Sequence, residues 1–144
     1  HTPRMFGFQA AGAAPLVLGH DVENPETVAT AIRIGKPASG SKALAARDDS
    51  NGLISSVTDE QILDAQAFLA AKEGIFVEPA SAAGVAGLLA LKQSGDLPAG
   101  QRIVITVTGN GLKDIDTALS RTELSTEAVE PSTDRVAALL GLHQ

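Results

Sequence analysis

A threonine hydroxyl at the end of a β-branched apolar run is the side chain here best suited to chemistry. Arg102-Ile103-Val104-Ile105-Thr106-Val107 leads into Thr108, and Gly109-Asn110-Gly111-Leu112-Lys113-Asp114 follows. A run of this kind predicts a buried parallel strand. In open α/β sheets, ligands sit beyond the carboxyl ends of the strands, and that is where the strand would deliver Thr108. A hydroxyl there can donate to a ring nitrogen or accept from one, which tunes a cofactor's electronics without adding charge. The same residues also describe a plain strand end followed by a Gly-Asn-Gly turn.

Glu78-Pro79-Ala80-Ser81-Ala82-Ala83 is the second candidate. A carboxylate between a strand end and a helix start could bind a substrate amine or steady a loop. It also suits the positive end of the helix dipole with no further role. The third is Thr30-Ala31-Ile32-Arg33-Ile34-Gly35-Lys36-Pro37. Arg33 and Lys36 could hold a phosphate, or Ala31 and Ile32 could pack on a flat ring. An ordinary helix end with basic residues at its negative pole is the competing description. His1, His20 and His143 are far apart and lack ligand-like spacing, so no metal site is expected. No nucleophile elbow and no Walker-type phosphate loop is present.

The elements that must position these groups follow from local pattern. Arg4 to Gln9 and Leu53 to Val57 read as strands, and Ile75-Phe76-Val77 as a very short one. Asn24-Pro25-Glu26 predicts a helix start, with Val28, Ala31 and Ile32 on its apolar face. Lys42 to Asp49 predicts a helix, and Asn51-Gly52 a turn. Thr58 with Gln61 forms a capping-box pattern for a helix that runs to about Lys72 and stops at Gly74. Ala80 to Gln93 predicts a helix whose Gly84 and Gly87 each weaken it by about 1 kcal/mol against Ala, which implies close packing there. Asp116 to Glu130 reads as a linker, and Ser132 or Thr133 caps a last helix bearing Val136, Leu139 and Leu140. Strands alternating with helices give an α/β fold with an open, mostly parallel sheet of about four strands flanked by helices.

The 144 residues suffice for one domain with a core, and 44% of them are hydrophobic. Tyr and Trp are absent and Phe numbers only 4, so that core must be aliphatic. The net charge of −6 argues against nucleic acid as a partner. Without cysteine there are no disulfides or thiolate metal sites. No apolar run approaches the roughly 20 residues of a membrane helix. No basic-then-apolar leader pattern opens the chain. These features point to a cytoplasmic protein. The start at His1-Thr2-Pro3, close to a strand pattern and without an initiator Met, points to a piece of a longer chain.

Four ordered segments resemble the threonine synthase family. Thr2 to Pro15 is similar to its RM-x-GFQA-x-GAAP segment and Thr30 to Pro37 to its TAIRIG-x-P segment. Glu73 to Ala83 is similar to EGIF-x-EPASAA, and Val107 to Asp114 to TG-x-GLKD. The resemblance implies a two-domain pyridoxal-phosphate enzyme of the tryptophan synthase β-like group. It also implies conversion of O-phospho-L-homoserine and water to L-threonine and phosphate by β,γ-replacement, and a homodimer. Residues 1–118 would be the C-terminal part of the large, cofactor-binding domain, and 119–144 a linker and C-terminal helix. Thr108 would contact the pyridine nitrogen, Ala31 and Ile32 would lie near the ring, and Glu78 near the site.

None of Lys36, Lys42, Lys72, Lys92 or Lys113 has the Ser-Phe-Lys-Asp context of the lysine that the family joins to its cofactor. The glycine-rich loop for the cofactor phosphate is missing as well. The chain alone is therefore expected to be inactive, with no catalytic residue assigned. Two other readings stand beside this one. A sister enzyme such as threonine deaminase or cysteine synthase would usually carry Ser in place of Thr108 and lack the GFQA-x-GAAP segment. A non-catalytic α/β binding or regulatory module is compatible with the composition.

Overall fold

Two short parallel strands and the helix laid across them form the centre of the molecule. The computed structural model describes residues 2–121 and 128–142. Strand β1 (Phe6–Ala10) pairs in parallel with β2 (Leu53–Val57), in a register that runs from Phe6 opposite Leu53 to Ala10 opposite Val57. Parallel neighbours need a crossover. Here it carries α1 (Pro15–Leu18), a 3-10 turn (Thr30–Ile32) and α2 (Gly40–Asp49). Helix α3 (Asp59–Phe68) follows β2 and continues through one π-helical turn (Leu69–Glu73). Helix α4 (Pro79–Ser94) then packs on α3 and on both strands. A 3-10 turn (Gly111–Asp114), α5 (Ile115–Leu119) and α6 (Thr133–Leu139) complete the described chain.

The core is aliphatic, as the composition requires. Ala10, Ala29, Val57, Ile62, Ala65, Leu69, Val77 and the inner face of α4 form one buried cluster, with Phe8 and Ile32 packed against it. Small residues allow this closeness. A Cβ built on Gly87 would stand 2.1 Å from the ring of Phe8, so α4 lies on β1 only because that position is glycine. The expectation of close packing at Gly87 is met. At Gly84 the nearest atom is Ile105 Cγ2 at 3.4 Å, an ordinary contact, so Gly84 is not required in the same sense.

Local signals that close within one element appear as expected. Thr58 accepts from the Gln61 amide while the Gln61 side chain accepts from the Thr58 amide, a complete capping box. The helical path ends at Gly74. Ser132 caps α6 by accepting from the Arg135 amide.

Five expectations need correction. The Asn24-Pro25-Glu26 helix does not form. The Glu26 amide donates to Gly12, the Val28 amide to Asp59 Oδ2 and the Ala29 amide to Thr27 Oγ1. Gly12, Asp59 and the Thr27 side chain thus claim the amides that a helix start would use, and only the short turn Thr30–Ile32 remains helical. Arg102 to Val107 is not a strand, and Val104 is 89% exposed. A ladder needs a neighbour, and among the described residues nothing pairs with this segment. Ile75-Phe76-Val77 contributes only an isolated antiparallel bridge between Val77 and Asn110. The sheet therefore has two strands rather than about four, within the same α/β class. The expected linker from Asp116 also starts later, because Ile115–Leu119 is helical, and part of it (122–127) lies outside the described residues.

Candidate functional site

The N-terminal end of α4 is where the chemistry-bearing residues gather. Glu78 takes the cap position of this helix in extended conformation, and its carbonyl accepts from the Ser81 and Ala82 amides. Pro79 fills the first helical position, where a missing N–H is harmless. The Glu78 amide in turn donates to the Gly109 carbonyl at 3.0 Å, and the Gly111 amide donates to Phe76. These bonds clasp the Gly109-Asn110-Gly111 loop against the start of α4. Asn110 turns the loop by accepting from the Leu112 amide.

Ser81 lies at the middle of this clasp and is 5% exposed. Its Oγ accepts from the Thr108 amide at 3.1 Å and from the Gly109 amide at 2.7 Å. It also lies 3.0 Å from Thr108 Oγ1. Thr108 itself is exposed. The loop is thus held from behind, with Thr108 at its exposed edge. Glu78 closes the other flank, since its carboxylate occupies the space a Cβ on Gly109 would need.

The turn bearing Ala31 and Ile32 also packs on α4. Ile32 is half-buried against the core and Ala31 is exposed. The turn is braced from α3 by Asp59, which accepts from Thr27 Oγ1 at 2.5 Å and from the Val28 amide at 3.0 Å. Arg33 Nε reaches back to the Thr27 carbonyl at 3.0 Å. Arg33 is thereby committed to its own loop, and exposed Lys36 pairs with Asp21 at 3.1 Å. Each of the two cations thus has a partner within its own loop. Among the described residues no group of His, Asp and Glu could hold a metal ion. No described helix is long and apolar enough to cross a membrane.

The structure therefore links Thr108 and Glu78 through Ser81 and Gly109, and sets Ala31 and Ile32 on a turn that packs on the same helix. Ser81, to which the sequence reading gave no role, joins Thr108 to α4. A buried hydroxyl in an alanine-rich first turn was the available signal, because such a group must find partners.

A hydroxyl fixed by a helix start, next to a parallel pair of an α/β fold, can orient and tune a cofactor. The chain belongs to the family of pyridoxal-phosphate dependent enzymes, whose model matches residues 1–109. It is 53% identical over 140 residues to the threonine synthase of Synechocystis sp., covering 96% of this chain and 36% of that protein. It is 59% identical over 117 residues to the threonine synthase of Mycobacterium leprae, covering 81% of this chain and 32% of that protein. The chain thus spans about a third of the length of these relatives. A fungal L-serine ammonia-lyase from Rhizomucor miehei shares the fold, with TM-score 0.61 and 23% identity over 81% of this chain and 40% of that one.

The residues present fit one end of the pyridoxal-phosphate group. Thr108, an exposed residue on a rigid support, offers a hydroxyl suited to a ring nitrogen, and Ala31 and Ile32 offer apolar surface on a braced turn.

Proposed function

We propose that this chain is the cofactor-facing C-terminal portion of a threonine synthase, in which O-phospho-L-homoserine and water become L-threonine and phosphate. The identity to threonine synthases across nearly the whole chain carries the reading. The cluster of Thr108, Ser81 and Glu78 at the start of α4 supports it. In this proposal residues 1–118 belong to the large domain and 119–144 follow as a linker and last helix.

When bound, pyridoxal phosphate supplies the electron sink for β,γ-replacement. Thr108 would partner its ring nitrogen. A hydroxyl is not acidic enough to protonate that nitrogen and carries no charge to hold it protonated, so the sink would be a tempered one. Ala31 and Ile32 would form wall, and Glu78 would hold the Gly109 loop in place beside the ring. The lysine joined to the cofactor and the cradle for its phosphate would come from the remainder of the relatives' length, so the chain alone would be inactive. By family resemblance the full-length enzyme would be a homodimer, and the composition of this chain points to a cytoplasmic one.

The test is phosphate release from O-phosphohomoserine, with threonine quantified, by the full-length protein loaded with pyridoxal phosphate. Equal amounts of phosphate and threonine are expected. A well-folded, cofactor-loaded protein without turnover would instead indicate a sister enzyme of the same fold.

A further inference from the structure

We infer that Ser81 is a positioning residue that sets the proton direction of Thr108, so that the threonine hydroxyl faces outward as a donor. This rests on the reading that Thr108 partners the ring nitrogen. The argument is a count of hydrogens. A serine hydroxyl has one proton and two lone pairs. Two of the three groups around Ser81 Oγ, the Thr108 and Gly109 amides, can only donate, and they occupy both lone pairs. The third contact is Thr108 Oγ1 at 3.0 Å, where distance alone permits either direction. With its lone pairs taken, Ser81 has only its proton left to give. Buried as it is, it has nowhere else to place that proton among its contacts. Ser81 therefore donates to Thr108.

Thr108 then holds one proton and one lone pair for whatever lies on its open side. The bonds form a chain in one direction, from backbone amides through Ser81 to Thr108. Such chains polarise the terminal hydroxyl and make it a stronger donor. The preferred partner is an acceptor, which for this cofactor class is an unprotonated ring nitrogen. Ser81 also fixes the threonine rotamer, because the same oxygen binds both its amide and its hydroxyl.

The test uses the full-length protein loaded with pyridoxal phosphate carrying 15N in the ring, read by 15N NMR. The native protein should show an unprotonated, hydrogen-bonded nitrogen. Ser81→Ala should move the signal towards that of a free pyridine nitrogen, and Ser81→Thr, which keeps a hydroxyl, should restore it. The same Ala variant should lose about tenfold in kcat, the size of one hydrogen bond, with little change in KM. If Ser81→Ala does not fold, Ser81→Cys replaces it. Its thiol is a weak hydrogen-bonding group of similar shape, and it should shift the signal the same way. An unchanged signal in the Ser81 variants, with a shift in Thr108→Val, would overturn the Ser81 inference and leave the site reading standing. An unchanged signal in Thr108→Val would overturn both.

Discussion

The carboxylate of Glu78 rests on the α-carbon of Gly109: a Cβ at that glycine would stand 1.9 Å from Glu78 Oε1. The contact ties the cap of α4 to the loop that follows Thr108, and the bond from the Glu78 amide to the Gly109 carbonyl reinforces it. Gly109→Ala must displace either the carboxylate or the loop. The expected result is a loss of about 1–3 kcal/mol in stability. Glu78→Ala in the same background should recover much of that loss. A double-mutant cycle by thermal melting measures the coupling, and additive effects would show that the two residues do not compete for this space.

Asp59 should control the wall residues without touching them. Its carboxylate holds Thr27 and the Val28 amide, and so the turn that bears Ala31 and Ile32. Asp59→Ala leaves two donors unpartnered and should destabilise by about 1–3 kcal/mol. Cofactor titration of the full-length protein should show weakened binding for this variant. Unchanged affinity would mean the turn is not part of the cofactor wall.

Gln66 is a buried amide with a single structural task. Its Nε2 donates to the Val77 carbonyl at 2.7 Å, which anchors the segment leading to Glu78. Gln66→Leu removes the donor while keeping bulk, and it should cost about 1–3 kcal/mol through the unsatisfied carbonyl. Chemical denaturation reads this directly.

The unpaired run from Arg102 to Val107 should make the isolated chain sticky. Unpaired, β-branched, exposed backbone is a template for edge-to-edge association. Val104→Lys should reduce concentration-dependent self-association, followed by light scattering. In the full-length protein, amide hydrogen exchange should show these same residues protected. Fast exchange there would mean that the segment never acquires a neighbour.

Signals that close within a few residues were legible in the sequence. Thr58 and Gln61 sit three apart and complete their box without outside help. Leu53 to Val57 is the observed strand without adjustment. Segments whose state depends on remote partners were read less well. Asn24-Pro25-Glu26 carries a proper helix start, yet Gly12 and Asp59 take the neighbouring amides. Ile103 to Val107 has the composition of a strand but no ladder within the described chain. At the candidate site, Thr108 and Glu78 stood out by type and flanking residues. Ser81 did not, because its importance lies in three contacts to residues far along the chain.

The parallel pairing of β1 with β2 has a kinetic consequence. Phe6 cannot meet Leu53 until the whole crossover has been synthesised, and the ring of Phe8 finds its seat only when Gly87 arrives. The pairing of β1 with β2 and the seating of Phe8 must therefore wait until α4 has emerged from the ribosome. Closing such long loops before any contact rewards them slows folding. Nascent chains arrested before α4 should remain protease-sensitive across β1, β2 and the crossover between them, and those arrested after it should acquire resistance there in one step.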